Sequence, residues 1–309
     1  MTELPAALAA DLTQIYGLPP DTAVPVSGGW LNKKWKIRAG GAFYLVKQFS
    51  RERFSDRQLM HIRRALTVQA QMHEQGFPCP RVLRPEEPLR TMPDGTVYTV
   101  MTFCPGIQIT PETVTTVQMR SLGENCARMK QMMASVDPQD MRGYPLDSAG
   151  VLAGLHAHLS KLPPDTPGTA DAAGILDGLT PQALERFARG TAHEDFSPDN
   201  MLFDGQGVTA ILDFDRTQYG FVLHDIGRIL MSLAWHGGVL DSERIRAFRQ
   251  GYETHLPLSP ADIADALRIT WITEFSWWIT ASDFSGESPK IRRFREETLW
   301  LGGNRDLFP

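Results

Sequence analysis

Between Thr191 and Asp215 the chain reads TAHEDFSPDNMLFDGQGVTAILDFD, and this stretch constrains everything around it. His193, Asp195 and Asn200 lie close together, and Asp213 and Asp215 follow. The apolar runs Met201-Leu202-Phe203 and Val208 to Leu212 are split by the polar turn Asp204-Gly205-Gln206-Gly207. Two short apolar runs around a glycine-containing turn read as a hairpin. A hairpin returns the chain on itself, so the loop ending at Asn200 and the loop opening at Asp213 are expected near each other. Asp195, Asn200 and Asp213 then offer three oxygen-bearing side chains to one place. Hard divalent cations take oxygen ligands, and Mg²⁺ takes few of them from protein.

Such a set suits phosphoryl transfer. Its transition state is loose and highly charged, so a protein mainly positions reactants and neutralises charge. One carboxylate must orient the attacking hydroxyl and accept its proton, the role that fits Asp195. An amide oxygen and a second carboxylate must hold the cation, the roles that fit Asn200 and Asp213. The spacing H-x-D-x-x-x-x-N, with an Asp-Phe pair further on, is that of the protein-kinase catalytic and metal loops. Glu194 stands here at the arginine position and Asp215 at the glycine position. A metal-dependent hydrolase with His193, Asp195 and Asp213 as ligands is a different reading. No further histidine or carboxylate pair at ligand spacing completes its shell.

On His193, Asp195, Asn200 and Asp213, with Leu212 in place of an isoleucine, the chain resembles the aminoglycoside phosphotransferase and choline kinase superfamily. That resemblance implies an α+β, bilobal, protein-kinase-like fold. Residues 1–102 would form a small antiparallel-sheet, nucleotide-binding lobe, and 103–309 a mostly helical catalytic and substrate lobe. It also implies ATP, or GTP, with Mg²⁺. The acceptor would be a hydroxyl of a small molecule: an aminoglycoside, an amino alcohol, homoserine or a sugar-like compound. Asp195 would be the base, Asn200 and Asp213 the metal ligands, and Asp215 a support for the metal site.

Upstream, Ser27-Gly28-Gly29-x-x-Asn32-Lys33 resembles the family's N-terminal hairpin, with Gly28, Gly29 and Asn32 at the matching positions. Strands are expected over Val24 to Val26, Trp30 to Ile37 and Phe43 to Lys47, and Lys47 would contact phosphate. Ser55 to Glu74 reads as a helix with Leu59, Ile62, Leu66 and Ala70 along one stripe. Relatives carry a glutamate on this helix to hold the strand lysine. Here the position falls on Ala65 or Leu66, with Gln69 the nearest polar candidate. A nucleotide-binding pseudokinase with a regulatory role is therefore an alternative. So is a bacterial Ser/Thr protein kinase, although no A-P-E segment is found. Arg81-Val82-Leu83 and Val97 to Phe103 complete the expected sheet. Met101 to Gly106 resembles the segment joining the lobes, with Met101 and Phe103 placed to pack on the base.

Helices are expected over Pro5 to Tyr16, Thr110 to Met133, Pro181 to Phe187, Val222 to Trp235, Ser242 to His255, Pro260 to Phe284 and Pro289 to Trp300. Asp225, at the start of one of them, is expected to accept backbone N–H groups and brace the catalytic loop. His224 reads as a surface or packing residue. Trp271, Phe275 and Trp278 share a face and read as core, with Glu274 and Asp283 available to a cationic acceptor. Arg292, Arg293, Arg295, Glu296 and Glu297 read as a solvated face.

Composition narrows the partners. A net charge of −5 gives no nucleic-acid footprint. Cys79, Cys104 and Cys126 form no C-x-x-C, and an odd count opposes a disulfide framework, which fits a reducing cytoplasm. The N-terminus lacks the basic segment and apolar core of a signal peptide. No apolar run approaches membrane-spanning length.

Overall fold

The computed structural model of the chain describes residues 3–26, 32–137, 141, 147–281 and 287–307. Packing groups the chain into two compact units. One comprises Met1–Ile107, Met201–Asp204 and Val208–Thr217; the other comprises Gln108–Asn200, Gly205–Gly207 and Gln218–Pro309. A cut at 102/103 keeps the 201–211 hairpin with the helical part, whereas its strands pack in the first unit. The reason is backbone hydrogen bonding. Ile107 and Phe203 exchange N–H···O bonds of 2.9 Å, and the Ile211 N–H donates to the Pro78 carbonyl at 2.8 Å.

In the first unit, helix α1 (Ala6–Tyr16) ends at Gly17, whose φ of 65° supplies the left-handed cap. Strands β1 (Thr22–Pro25), β2 (Asn32–Ala39), β3 (Ala42–Phe49), β4 (Arg90–Thr91) and β5 (Val97–Thr102) form an antiparallel sheet ordered β1-β2-β3-β5-β4. Residues 81–83, expected as a strand, contribute only a bridge from Val82 to Met101. Period-two alternation gives the sheet two faces. Trp35, Ile37, Val46, Tyr98 and Val100 pack on Leu8 and Leu12 of α1. Phe49, Val97 and Met101 pack on Leu59, Ile62, Leu66 and Ala70 of helix α2 (Asp56–Glu74). A capping box starts α2: Ser55 Oγ accepts from the Gln58 N–H, and Gln58 Oε1 accepts from the Ser55 N–H.

The second unit is mostly helical: α3 (Thr116–Met133), α4 (Ser148–Leu159), α5 (Thr169–Gly178), α6 (Pro181–Glu185), α7 (His224–Ala234), α8 (Ser242–Tyr252), α9 (Pro260–Trp278) and α10 (Pro289–Gly303). Helix α3 starts later than Thr110-Pro111-Glu112 suggested. Thr115 and Gln118 form its capping box, while Thr110 closes a separate turn with Thr113 and Val114. Helices α3 and α8 cross at two glycines. A Cβ on Gly123 would lie 1.9 Å from the Phe248 carbonyl oxygen, and one on Gly251 1.8 Å from that of Arg120. Trp271 and Phe275 are core as expected, stacked with ring centroids 5.0 Å apart. Helix α9 ends at Trp278, and Asp283 lies outside the described residues. The solvated face expected around Arg292 is half right. Arg292 and Glu296 are exposed, but Arg295 is buried against Glu287 and Glu297 is fully buried. Strands Arg189–Ala192 and Gln218–Phe221 form a short antiparallel ribbon that leads into the 193–200 loop. The architecture is thus the α+β, bilobal, kinase-like one, with a small antiparallel sheet and a helical second part.

Candidate active site

The ribbon strand Arg189–Ala192 delivers His193, Glu194 and Asp195. Asp225, buried at the start of α7, accepts the His193 N–H on Oδ2 and the Glu194 N–H on Oδ1, each at 3.0 Å. This is the brace expected of it. Two backbone donors on one carboxylate fix the direction in which the chain enters the loop. Lys130 Nζ stands 4.0 Å from the same carboxylate. The Asp195 N–H then donates to His193 Nδ1 at 3.3 Å, and His193 is fully buried.

Glu194 sits at φ 63°, a left-handed conformation that side chains rarely adopt. Its carboxylate turns back over Gly220, where an added Cβ would lie 2.0 Å from Glu194 Oε1. It meets His224 Nδ1 at 3.3 Å, and the other His224 nitrogen lies 3.2 Å from Glu274 Oε1. His224 is therefore neither a surface residue nor a simple packing residue. Burial alone would lower its pKa, but Glu194 and Glu274 outweigh this and raise it to about 10. Glu274 is also bonded by Arg228 and by Trp278 Nε1, and Arg228 reaches Glu297 as well. With its carboxylate neutralised from several sides, Glu274 is committed within the helical unit, not held out for an acceptor.

Beyond Asp195 the chain makes a tight turn. The Ser197 N–H donates to the Asp195 carbonyl and the Asn200 N–H to the Ser197 carbonyl, both at 2.9 Å. Asn200 Nδ2 also donates to the Asp195 carbonyl at 2.9 Å. The amide nitrogen being used, Oδ1 is the atom of Asn200 suited to a cation.

In the first unit the strand Val208–Ile211 ends just before Asp213, which adopts φ 62°. Asp tolerates this conformation better than most residues. The turn Phe214–Arg216 packs on α2 and carries Asp215. Lys47, near the end of β3 and 2 % exposed, bonds Asp213 Oδ1 at 2.6 Å and Asp215 Oδ2. The glutamate absent from α2 is thus replaced by two aspartates from the 213–215 turn. Gln69 is not the substitute: its Nε2 donates to the Pro80 carbonyl at 2.7 Å. Burial would lower the Lys47 pKa, but the two carboxylates outweigh it and hold it above the usual lysine range. Asp213 would be raised by burial, yet Lys47 and Lys34 hold it well below the usual carboxylate range. Asp215 is pushed up to about 6 by burial, which Lys47 only partly offsets.

Of the other expected nucleotide contacts, Gly28 and Gly29 lie outside the described residues. Asn32 opens β2 opposite Phe49, with its Oδ1 buried and without a hydrogen-bond partner among the described residues. Met101 is buried against α2, and Phe103 is half-buried with Lys36 Nζ 4.2 Å from its ring centroid.

The profile of the phosphotransferase enzyme family, APH, matches residues 22–258, which span both groups of residues just described. The chain belongs to this family. As a member it is a phosphotransferase of the small-molecule kinase type. It is 26% identical over 231 residues to a homoserine kinase of Hyphomonas neptunium, covering 67% of this chain and 68% of that one. It is 28% identical over 197 residues to a homoserine kinase of Gluconacetobacter diazotrophicus, covering 62% and 60% respectively. Among solved structures, the amicoumacin kinase hAmiN, with AMP-PNP, Ca²⁺ and Ami, aligns with TM-score 0.65 at 18% identity. That alignment covers 91% of this chain and 88% of the other. A thermostable mutant of aminoglycoside phosphotransferase APH(4)-Ia, with ADP and hygromycin B, aligns with TM-score 0.64 at 17% identity, covering 97% and 99%.

Three features of this phosphotransferase were not read from its sequence: Lys34 on Asp213, the pairing of Asp215 with Lys47, and the Glu194–His224–Glu274 chain. For the first a signal existed, the two-residue Gly40-Gly41 turn that sets the β2–β3 register. The other two depend on residues far apart along the chain, and no local pattern announces them.

Proposed function

We propose that this phosphotransferase transfers the γ-phosphoryl group of ATP to the hydroxyl of a small molecule in the cytoplasm, with Mg²⁺. The carrying observation is the loop itself. Asp225 and the Asn200 amide clamp it on both sides of Asp195, which leaves the Asp195 carboxylate as the group that orients and deprotonates the acceptor hydroxyl. Each proposed ligand is of the kind a hard cation takes: the Asp213 carboxylate, and an Asn200 amide whose nitrogen is already used. Bound there, Mg²⁺ would neutralise charge on the transferred phosphoryl group. Lys47 contacts the phosphates, Gly28, Gly29 and Asn32 border them, and Met101 and Phe103 flank the base.

The acceptor is a small alcohol, and homoserine is the first to try because related chains are homoserine kinases. The pairing of Lys47 with two carboxylates favours this active-enzyme reading over the pseudokinase one. The three free cysteines accord with a reducing compartment. No described helix is long and apolar enough to cross a membrane.

The test is Mg²⁺-dependent ATP consumption against a panel of hydroxylated small molecules headed by homoserine. Asp195→Asn should lower kcat by roughly 10²–10⁴-fold, the usual worth of a positioned general base, while nucleotide still binds. Full turnover by that variant on a genuine acceptor would remove Asp195 from the role.

A further inference from the structure

Strands β2 and β3 are joined by Gly40 and Gly41, at φ 57° and 81°. Two successive positive φ values mark the tight turn whose twist matches that of the strands, and such a turn fixes the register. Ala39 pairs with Ala42, and Lys34 pairs with Lys47. Directly paired residues put their side chains on the same face, so two lysines stand side by side. Like charges in that arrangement are unfavourable unless something answers them.

Asp213 answers both. Its Oδ1 accepts from Lys47 at 2.6 Å, and its Oδ2 accepts from Lys34 at 3.2 Å. Each carboxylate oxygen thus carries one ammonium. Lys47 also has Asp215, so it keeps a carboxylate if Asp213 is taken. For Lys34 the described residues supply Asp213 alone. Its side chain is 16% exposed, half-withdrawn from water. The neighbouring Lys33 points to the opposite face and is exposed, so a lysine on β2 does not have to face inward.

A cation on Asp213 competes with the two ammonium groups, because like charges on one carboxylate repel. Lys47 can fall back on Asp215. Lys34 needs a new anion, and the one that arrives with the metal is the nucleotide's phosphate chain. We infer that Lys34 is a second phosphate-binding cation: it holds Asp213 while the enzyme is empty and passes to the β- and γ-phosphates when a metal-bound nucleoside di- or triphosphate enters. This rests on the nucleotide reading given above. It predicts selectivity by phosphate count, since the ligand must bring both the metal and an oxygen for Lys34.

The test is calorimetric titration of wild type, Lys34→Met, Lys34→Arg and Lys33→Met with ATP, ADP, AMP and adenosine, in Mg²⁺ and without acceptor. Lys34→Met should weaken ATP and ADP binding tenfold or more, yet leave AMP and adenosine within twofold. Lys34→Arg keeps the charge and should stay within a few-fold of wild type. Lys33→Met removes the same charge from the other face and should bind all four like wild type. Circular dichroism and urea midpoints establish that each variant is folded; if Lys34→Met is not, Lys34→Gln takes its place. Unchanged ATP affinity in the Lys34 variant would show that the lysine only neutralises Asp213, and would overturn the inference. An equal loss for adenosine and ATP would overturn it too, as the mark of a structural role. If wild type itself bound no Mg²⁺-nucleotide, the underlying nucleotide reading would fall first.

Discussion

The protein holds two charged clusters that look alike by composition and differ in build. Lys34, Lys47, Asp213 and Asp215 gather on the sheet unit, two cations against two carboxylates. Glu194, His224, Glu274, Arg228, Glu297 and Arg293 gather in the helical unit, and these also balance once His224 is protonated. In the first cluster the Asp213 side chain is 23% exposed. In the second the Glu297 side chain is 1% exposed and Arg228 6%. A partly solvated pair such as Lys34–Asp213, at 16% and 23% exposure, can be exchanged for a ligand at small cost. Fully desolvated ones cannot, because any partner left behind is a buried, uncompensated charge. The contrast lies between the Lys34–Asp213 pair and the Arg228–Glu297 pair, since Lys47 is as buried as Arg228 and Arg293 is 28% exposed.

The comparison breaks most sharply at Arg228. Replacing it with Met leaves Glu274 and Glu297 buried without their principal cation, and breaking such a pair costs roughly 3–5 kcal/mol. Urea denaturation should show that loss. A loss near zero would mean that the helical cluster is as exchangeable as the sheet one. Next comes Asp225→Ala, which strips the acceptor from the His193 and Glu194 N–H groups. A buried donor left unpaired costs roughly 1–3 kcal/mol, and here the loop carrying Asp195 also loosens. Stability and kcat should fall together, with the nucleotide KM little changed.

His224 sharpens the contrast through pH. Its folded pKa, about 10, lies above the unfolded value of about 6.5. The folded state therefore keeps a proton that the unfolded chain has lost. The contribution is complete below pH 6.5, shrinks as pH rises, and is gone once pH passes 10. Stability measured between pH 6 and 10.5 should decline along this course, and His224→Gln should remove that part of the decline. The smallest effect belongs to Arg51, whose pairing with Asp56 is largely exposed. Arg51→Ala should change stability by no more than about 1 kcal/mol, as surface pairs do. A larger change would mean that exposure is not what makes an ion pair cheap to break.

Much of the site was legible because its members are close in the chain. His193, Asp195 and Asn200 share one loop, and the hairpin after it is specified by two apolar runs and a polar turn. Asp225 was legible as a helix-start carboxylate near that loop. The partner of Lys47 was not. Gln69 on α2 is the nearest polar residue by spacing, but its amide is turned to the Pro80 carbonyl. The start of α3 was misplaced because Thr110-Pro111-Glu112 and Thr115 are both credible caps, and only the Gln118 side chain decides between them. The arginine-rich stretch of α10 looked solvated because a charge pattern does not reveal which face meets a neighbouring helix.

By itself the sequence determined the spacing of the loop around Asp195, its resemblance to a family implied the fold class, and Gly40-Gly41 carried the register that sets Lys34 beside Lys47, although that register was not read from it. The loop and the register follow from covalent spacing, backbone period and turn geometry, all of which act over short stretches of chain. Tertiary structure alone decided which carboxylates answer those lysines, and it decided that His224 is a charged link and not a surface residue. The physical reason is that a charge is stabilised by whatever lies within a few ångströms of it once water has been removed. Packing chooses those neighbours, and in this chain Lys47 finds them in Asp213 and Asp215, far along the sequence.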